Sequence, residues 1–201
     1  MFDAILFNKT TFLTSAPSVR ESPADEGKEV AFAGRSNAGK SSVINALTGN
    51  NKLARTSKTP GRTQLLNFFF LTENRRLVDL PGYGFAKVPV AVKSNWNRNL
   101  AGYLQERKSL VGVIILMDIR HPLQKYDLQI ICWASKSKMP IHLLLTKSDK
   151  LRRGAINNTL LRVEKELKKE NLFSNLSLQA FSSVKKSGLS ELKQKLKIWL
   201  N

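Results

Sequence analysis

The chain has one cysteine, Cys132, in 201 residues, which excludes a disulfide framework and a thiolate metal cage. Cys132 falls in the helical stretch Gln124 to Ser135, where Leu128, Ile131 and Cys132 share a face. It reads there as a small buried hydrophobe. The two histidines, His121 and His142, are far apart and have no cysteine or acid pair at ligand spacing, so both take structural roles. No apolar run approaches about 18 residues. Met1-Phe2-Asp3-Ala4 carries no basic region followed by a hydrophobic core. A membrane span and a secretory leader are therefore not expected, and a cytoplasmic location is. No internal repeat or low-complexity segment occurs.

Acidic residues are scarce too. Asp and Glu number 15 against 33 Lys and Arg, a formal charge of +18. That is more than solubility requires and points to a polyanionic partner, nucleic acid first, with a phosphate-bearing membrane surface as the rival. At 201 residues and 42% hydrophobic content, one α/β domain spanning 1–201 is expected, with the monomer as the default state.

What is present begins with Gly34-Arg35-Ser36-Asn37-Ala38-Gly39-Lys40-Ser41-Ser42, a complete G-x-x-x-x-G-K-S between the apolar Val30-Ala31-Phe32-Ala33 and the helical pattern Val43, Ile44, Leu47. The glycines let successive N–H groups face a β-phosphate at a helix N-terminus. Lys40 then reaches the β/γ oxygens and Ser41 a Mg²⁺ ion. Asp79-Leu80-Pro81-Gly82 follows the strand-like Arg76-Leu77-Val78, setting a carboxylate beside the Mg²⁺ and the Gly82 N–H near a γ-phosphate.

Thr146-Lys147-Ser148-Asp149 follows the apolar run Ile141-His142-Leu143-Leu144-Leu145 and names the base. A carboxylate accepts from guanine N1–H and its exocyclic amine, whereas adenine has no such donor pair on that edge. Asp149 therefore argues for GTP and GDP over adenine nucleotides. Phe181-Ser182-Ser183, after Leu176-Ser177-Leu178, is a candidate closure over the guanine carbonyl through a backbone N–H.

These segments alternate with helical and strand patterns. A strand or arm is expected over Ala4 to Phe12, a polar loop to Lys28, a strand over 29–33 and a helix over 40–48 stopped by Gly49. Gln64 to Leu71 and Arg75 to Asp79 read as a hairpin. Trp96, Leu100, Tyr103 and Leu104 read as a buried helix face, Val111 to Met117 as a central parallel strand, and Leu189, Leu192, Leu196 and Trp199 as the stripe of a last helix. The fold class is a doubly wound, mostly parallel α/β sheet with flanking helices, its ligand at the strands' C-terminal ends.

The order and spacing resemble a translation-factor-type GTPase domain. With Thr59-Pro60-Gly61-Arg62-Thr63-Gln64, Tyr83-Gly84 and Asp118-Ile119-Arg120-His121-Pro122 added, they resemble the EngB family (YihA/YsxC) of bacterial ribosome-assembly GTPases over nearly the whole chain. The resemblance implies that Thr63 completes Mg²⁺ coordination beside Ser41. It also implies that Gly61, Arg62, Gln64 and Leu65 belong to the nucleotide-contacting switch, and that the activity serves large-subunit assembly and normal cell division. Lys40, Thr63 and Gly82 are the groups expected at the reacting phosphate.

A water-orienting Gln often follows D-x-x-G, but here Tyr83 does, so slow intrinsic hydrolysis is expected. Asn37 resembles the asparagine of cation-dependent GTPases whose side chain helps hold K⁺; shaping the loop is the alternative role. Thr146 stands where many relatives have Asn, which weakens a side-chain contact to the base's N7. Tyr83 and Phe85 are expected to be exposed, meeting RNA or capping the site, while Phe68-Phe69-Phe70 reads as core.

The acid-free Asn50 to Thr63, with Lys52, Arg55, Lys58 and Arg62, reads as a basic switch loop. Lys150 to Asn201 adds a second cationic block. Three functions fit: a GTPase switch docking on ribosomal RNA or a pre-large-subunit particle, a nucleotide-gated regulator of a protein or membrane partner, and a constitutive RNA-binding module with vestigial hydrolysis.

Overall fold

Lys28–Gly34 is buried along nearly its whole length and forms the centre of a seven-stranded sheet. A strand covered on both faces needs continuous rather than alternating hydrophobicity. The computed structural model describes residues 5–54, 65–83, 101–172 and 175–201. Its strands are β1 (Thr11–Ala16), β2 (Lys28–Gly34), β3 (Leu66–Thr72), β4 (Arg75–Asp79), β5 (Leu110–Asp118), β6 (Ile141–Thr146) and β7 (Leu176–Ala180). Their spatial order is β1-β3-β4-β2-β5-β6-β7. β1, β3 and β4 pair antiparallel, and β4, β2, β5, β6 and β7 run parallel.

Among the described residues the helices that flank the sheet include α1 (Lys40–Thr48), α2 (Lys125–Lys136), α3 (Arg153–Lys169) and α4 (Leu189–Leu200). Residues 101–106 are also helical. Val43, Ile44 and Leu47 of α1 join Leu192, Leu196 and Leu200 of α4 against Phe32, Phe69, Ile114 and Leu116 on one face. On the other face, Ile131 and Ala134 of α2 and Val163 and Leu167 of α3 meet Ala31, Ala33, Ile115 and Leu143. Each fully buried Leu, Ile or Phe contributes about 1.5–3 kcal/mol. The structure is thus the doubly wound, mostly parallel sheet that the alternating pattern implies.

At the strands' N-terminal ends Glu29, 0% exposed, gathers several donors. Arg107 reaches it at 2.7 and 2.9 Å, Arg76 at 2.9 Å and the Tyr103 hydroxyl at 2.8 Å. A buried carboxylate persists only when paired and hydrogen-bonded in this way. The cluster ties Tyr103, in the 101–106 stretch, to the base of β2, opposite the end that carries the motifs.

Several local expectations are corrected. Of the N-terminal stretch, Thr11 and Phe12 belong to the edge strand β1, while the described residues before them do not extend it. A 3-10 turn, Phe7–Lys9, precedes β1, and the Thr10 hydroxyl donates to the Phe7 carbonyl at 2.6 Å. Ile5 and Phe7 are both buried in the core cluster that α1 and α4 form with one face of the sheet. The polar loop starts after Ala16 rather than Phe12, because Thr14, Ser15 and Ala16 pair with β3. The buried residues of α2 are Asp127, Ile130, Ile131 and Ala134, so its inward face is rotated from the expected one and Cys132 is only half-buried. Phe68 and Phe69 are core, but Phe70, pointing away from Phe69 at the sheet's antiparallel end, is partly exposed. Trp96, Leu100 and Phe85 lie outside the described residues, as does Arg55 to Gln64.

Candidate nucleotide-binding site

β2 ends at Gly34, where an added Cβ would sit 2.9 Å from the Leu116 carbonyl oxygen, so only glycine lets the chain leave the sheet there. The backbone then turns through Arg35, Ser36 and Asn37, the last left-handed at φ 64°, to Ala38 and Gly39 (φ 95°, ψ 20°). Gly39 is the N-cap of α1, and Lys40, Ser41 and Ser42 form the helix's first turn. Left-handed residues between right-handed ones gather N–H groups into an anion-binding concavity beside a helix N-terminus. Asn tolerates φ > 0 better than other non-glycine residues, which gives the loop-shaping role of Asn37 a physical reason.

Asp79 closes β4 opposite Phe32 of β2. The following segment stays on β2: the Leu80 N–H donates to the Phe32 carbonyl at 3.0 Å and the Tyr83 N–H to the Gly34 carbonyl at 3.2 Å. The Ser36 N–H returns to the Tyr83 carbonyl at 2.9 Å. Pro81 and Gly82 therefore lie against the phosphate loop, and an added Cβ on Gly82 would be 3.3 Å from the Ser36 nitrogen and 3.4 Å from Lys40 Nζ. Lys40 Nζ stands 3.5 Å from Asp79 Oδ1. That oxygen is buried without a hydrogen-bond partner among the described residues. Burial pushes the Asp79 carboxyl above its ordinary range, and Lys40 opposes this.

Thr146 ends β6 beside Asp118 of β5. Its hydroxyl lies 2.7 Å from the Ala38 carbonyl and 3.1 Å from that of Met117, so the side chain that replaces Asn braces the phosphate loop. Lys147 is left-handed (φ 61°) and Ser148–Lys150 form a 3-10 turn. The Ser148 N–H donates to the Phe181 carbonyl at 3.1 Å and the Phe181 N–H to that of Leu145 at 2.8 Å. The Ser182 hydroxyl donates to Asp149 Oδ1 at 2.6 Å, which keeps the Asp149 carboxyl below its ordinary range. Ser183 follows directly on the half-exposed side of this turn.

The two loops thus form one unit, with Asp149 aimed by a serine thirty-three residues away. Of the residues that the sequence assigns to the site, Gly61, Arg62, Thr63 and Gln64 lie outside the described residues. Leu65 is described and sits exposed immediately before β3.

Three participants are not assigned to the site by the sequence. Asp118 receives the Arg120 guanidinium at 2.6 and 2.9 Å and the Lys147 ammonium at 3.1 Å. The Arg120 bonds first, then Lys147, hold its carboxyl far below the ordinary range. Its signal was available, because Asp118 ends a central strand on the same edge as Asp79. The second participant is Tyr83, expected to be exposed but 1% accessible, with its hydroxyl donating to Asp127 Oδ1 at 2.8 Å. The third is Asp127 itself, fully buried in α2. Only the three-dimensional pairing of residues forty-four positions apart reveals these two.

A family model described as a 50S ribosome-binding GTPase matches residues 29–147. A protein of Vibrio parahaemolyticus described as a probable GTP-binding protein EngB is 52% identical over 195 residues, covering 97% of this chain and 88% of that one. A solved structure of a probable GTP-binding protein engB has a TM-score of 0.65 at 22% identity, over 86% of this chain and 98% of that chain. Era in complex with MgGDPNP and nucleotides 1506–1542 of 16S ribosomal RNA has a TM-score of 0.66 at 20% identity, over 88% and 57%. Both structures share the fold.

Proposed function

The chain belongs to the EngB family of GTP-binding proteins, GTPases that hydrolyse GTP to GDP and phosphate, and from that premise we propose that it is a nucleotide-dependent switch in assembly of the large ribosomal subunit. The observation that carries this reading is the junction of four motifs through three contacts: Ser36 with Tyr83, Ala38 with Thr146, and Ser148 with Phe181. The +18 charge supplies the affinity for RNA phosphates.

In this reading the backbone N–H groups of Asn37 to Ser41 and the Lys40 ammonium hold the β- and γ-phosphates, and the Gly82 N–H reads the γ-phosphate. Lys147 covers the base while Asp149, aimed by Ser182, accepts from guanine N1–H and its amine. The buried Asp79 Oδ1, which has the Lys40 ammonium at 3.5 Å but no hydrogen-bond partner among the described residues, fits a hydrated divalent cation near the start of α1. Ser41 and Thr63 would ligate Mg²⁺ and Asp79 would hold it through water. Held by these residues, the ion would supply neutralisation of phosphate charge. With Tyr83 turned into the core, the residue after Gly82 orients no water, so hydrolysis by the free protein is slow. K⁺ at Asn37 is one candidate for the missing stimulus.

The test is sedimentation with purified large subunits and their precursors at fixed salt, comparing a non-hydrolysable GTP analogue, GDP and no nucleotide. Binding strongest with the analogue, and weakening steeply with log salt, is expected. Equal binding in all three states makes the basic surface a constitutive anchor and overturns the switch. No binding moves the partner to a protein or membrane. Hydrolysis measured with the subunits in K⁺ and in Na⁺ decides the cation, since equal rates remove it.

A further inference from the structure

We propose that Tyr83 is a positioning residue for the γ-phosphate contact, acting through a buried latch onto Asp127 at the N-terminus of α2. The inference rests on the reading of Gly82 as the γ-phosphate contact.

The segment from Asp79 to Tyr83 is fixed at two points. On one side the Leu80 N–H is bonded to Phe32 of β2 at 3.0 Å. On the other, Tyr83 exchanges hydrogen bonds with both Gly34 and Ser36, at 3.2 and 2.9 Å. Only Pro81 and Gly82 lie between them. The proline ring fixes its own φ, so the aim of the Gly82 N–H depends on how firmly Tyr83 is held.

The phenol supplies that hold. Its ring is 1% exposed, 6.4 Å from the Tyr126 ring, and its hydroxyl reaches Asp127 Oδ1 at 2.8 Å. The other Asp127 oxygen accepts the Gln124 N–H at 2.9 Å, and Gln124 in turn caps the third residue of α2. One carboxylate therefore serves two partners, the helix cap and the phenol. Ile130, Ile131 and Ala134 seat α2 in the core, so the latch ties the phosphate-reading segment to a helix that the core holds still. Pre-aiming an N–H favours binding of the group it contacts, because the ordering is complete before the ligand arrives. The benefit goes to a ligand with a γ-phosphate and not to GDP.

The experiment measures, by calorimetry on the full chain with Mg²⁺, the affinities for GDP and for a non-hydrolysable GTP analogue. The variants are Tyr83→Phe, Asp127→Asn, the double variant and Gly82→Ala. Tyr83→Phe keeps the ring and removes one hydrogen bond to a charged group. The analogue is expected to bind about tenfold more weakly, with GDP within about twofold. Asp127→Asn shifts the ratio in the same direction, and the double variant is no worse than Tyr83→Phe alone, as for two halves of one contact.

A general structural role would weaken both nucleotides together. Equal loss, no loss, or a ratio moved toward the analogue overturns the latch. Should Tyr83→Phe fail to fold, as thermal melting would show, Asp127→Asn tests the same contact from the other partner. If Gly82→Ala abolishes the preference for the analogue and Tyr83→Phe does not, the latch is wrong and the Gly82 reading stands. If Gly82→Ala also leaves the preference intact, the Gly82 reading fails.

Discussion

Lys147 is left-handed at the rim of the proposed base site, and its ammonium is tethered to Asp118 at 3.1 Å while Arg120 grips the same carboxylate. A long lysine side chain loses rotamer freedom when it lies along a flat ligand, and a tether removes part of that loss in advance. Asp118→Ala is therefore expected to weaken GDP and the GTP analogue equally, by about tenfold, without changing their ratio. Fluorescent-nucleotide titration checks it; unchanged affinity for both removes Asp118 from the site. This pattern is the opposite of the one expected for Tyr83, so the two residues separate base affinity from γ-phosphate discrimination. The motif residues at this scale were legible as types: Lys40, Asp79, Asp149. Their aim was not: Ser182 holds Asp149 from another part of the chain, and Lys40 meets Asp79 across two motifs.

At the scale of elements, α4 is seated by an absence. An added Cβ on Gly112 of β5 would lie 2.5 Å from the Trp199 ring, closer than any real contact. The glycine makes room for the indole over the sheet, so Gly112→Ala forces the end of α4 outward and is expected to destabilise the fold by about 1–3 kcal/mol. Trp199→Leu in the same chain should recover part of that loss, a coupling that a urea denaturation cycle reads directly. Additive effects would mean that the indole is not what the glycine accommodates. The sequence shows Gly112 in a β pattern and Trp199 on an apolar stripe, yet nothing in either pattern pairs them. Elements with long, one-sided periodicity such as α1 and the β3–β4 hairpin were readable in place. The N-terminal arm was not, because Ile5 and Phe7 answer to a distant core instead of a local repeat.

For the molecule as a whole, stability carries a pH signature from a residue with no part in the site. His142 accepts at Nδ1 from the Ser177 hydroxyl at 2.8 Å and donates from Nε2 to Gln179 Oε1 at 2.9 Å. The amide's orientation follows from its other end, which donates to the Gly188 carbonyl at 2.7 Å. Burial, aided by the nearby Lys195 charge and opposed by the Gln179 bond, lowers the imidazole from 6.5 to about 4. The folded value lies below the unfolded one, so the unfolded chain binds the extra proton between them. Stability from this group is complete above about pH 6.5 and is lost as pH falls toward 4, by roughly 3 kcal/mol in all. Unfolding free energies measured from pH 7.5 to 4 should fall more steeply for the native chain than for His142→Asn. Parallel curves would refute the assignment.

The sequence by itself determined the motif chemistry: a G-x-x-x-x-G-K-S loop before a helix, carboxylates at strand ends, an Asp149 placed where a guanine-reading carboxylate is expected, and a surplus of positive charge. It also determined the layer architecture. Both follow from local spacing, which fixes which backbone groups face a phosphate and which side chains face a core. Tertiary structure alone decided that Tyr83 is buried and bonded to Asp127, that Thr146 braces the phosphate loop, that Asp118 holds Lys147, and that Gly112 seats Trp199. Each of these joins residues from different strands and helices. Such pairs meet only after the sheet has set its order and register, and no local periodicity encodes that.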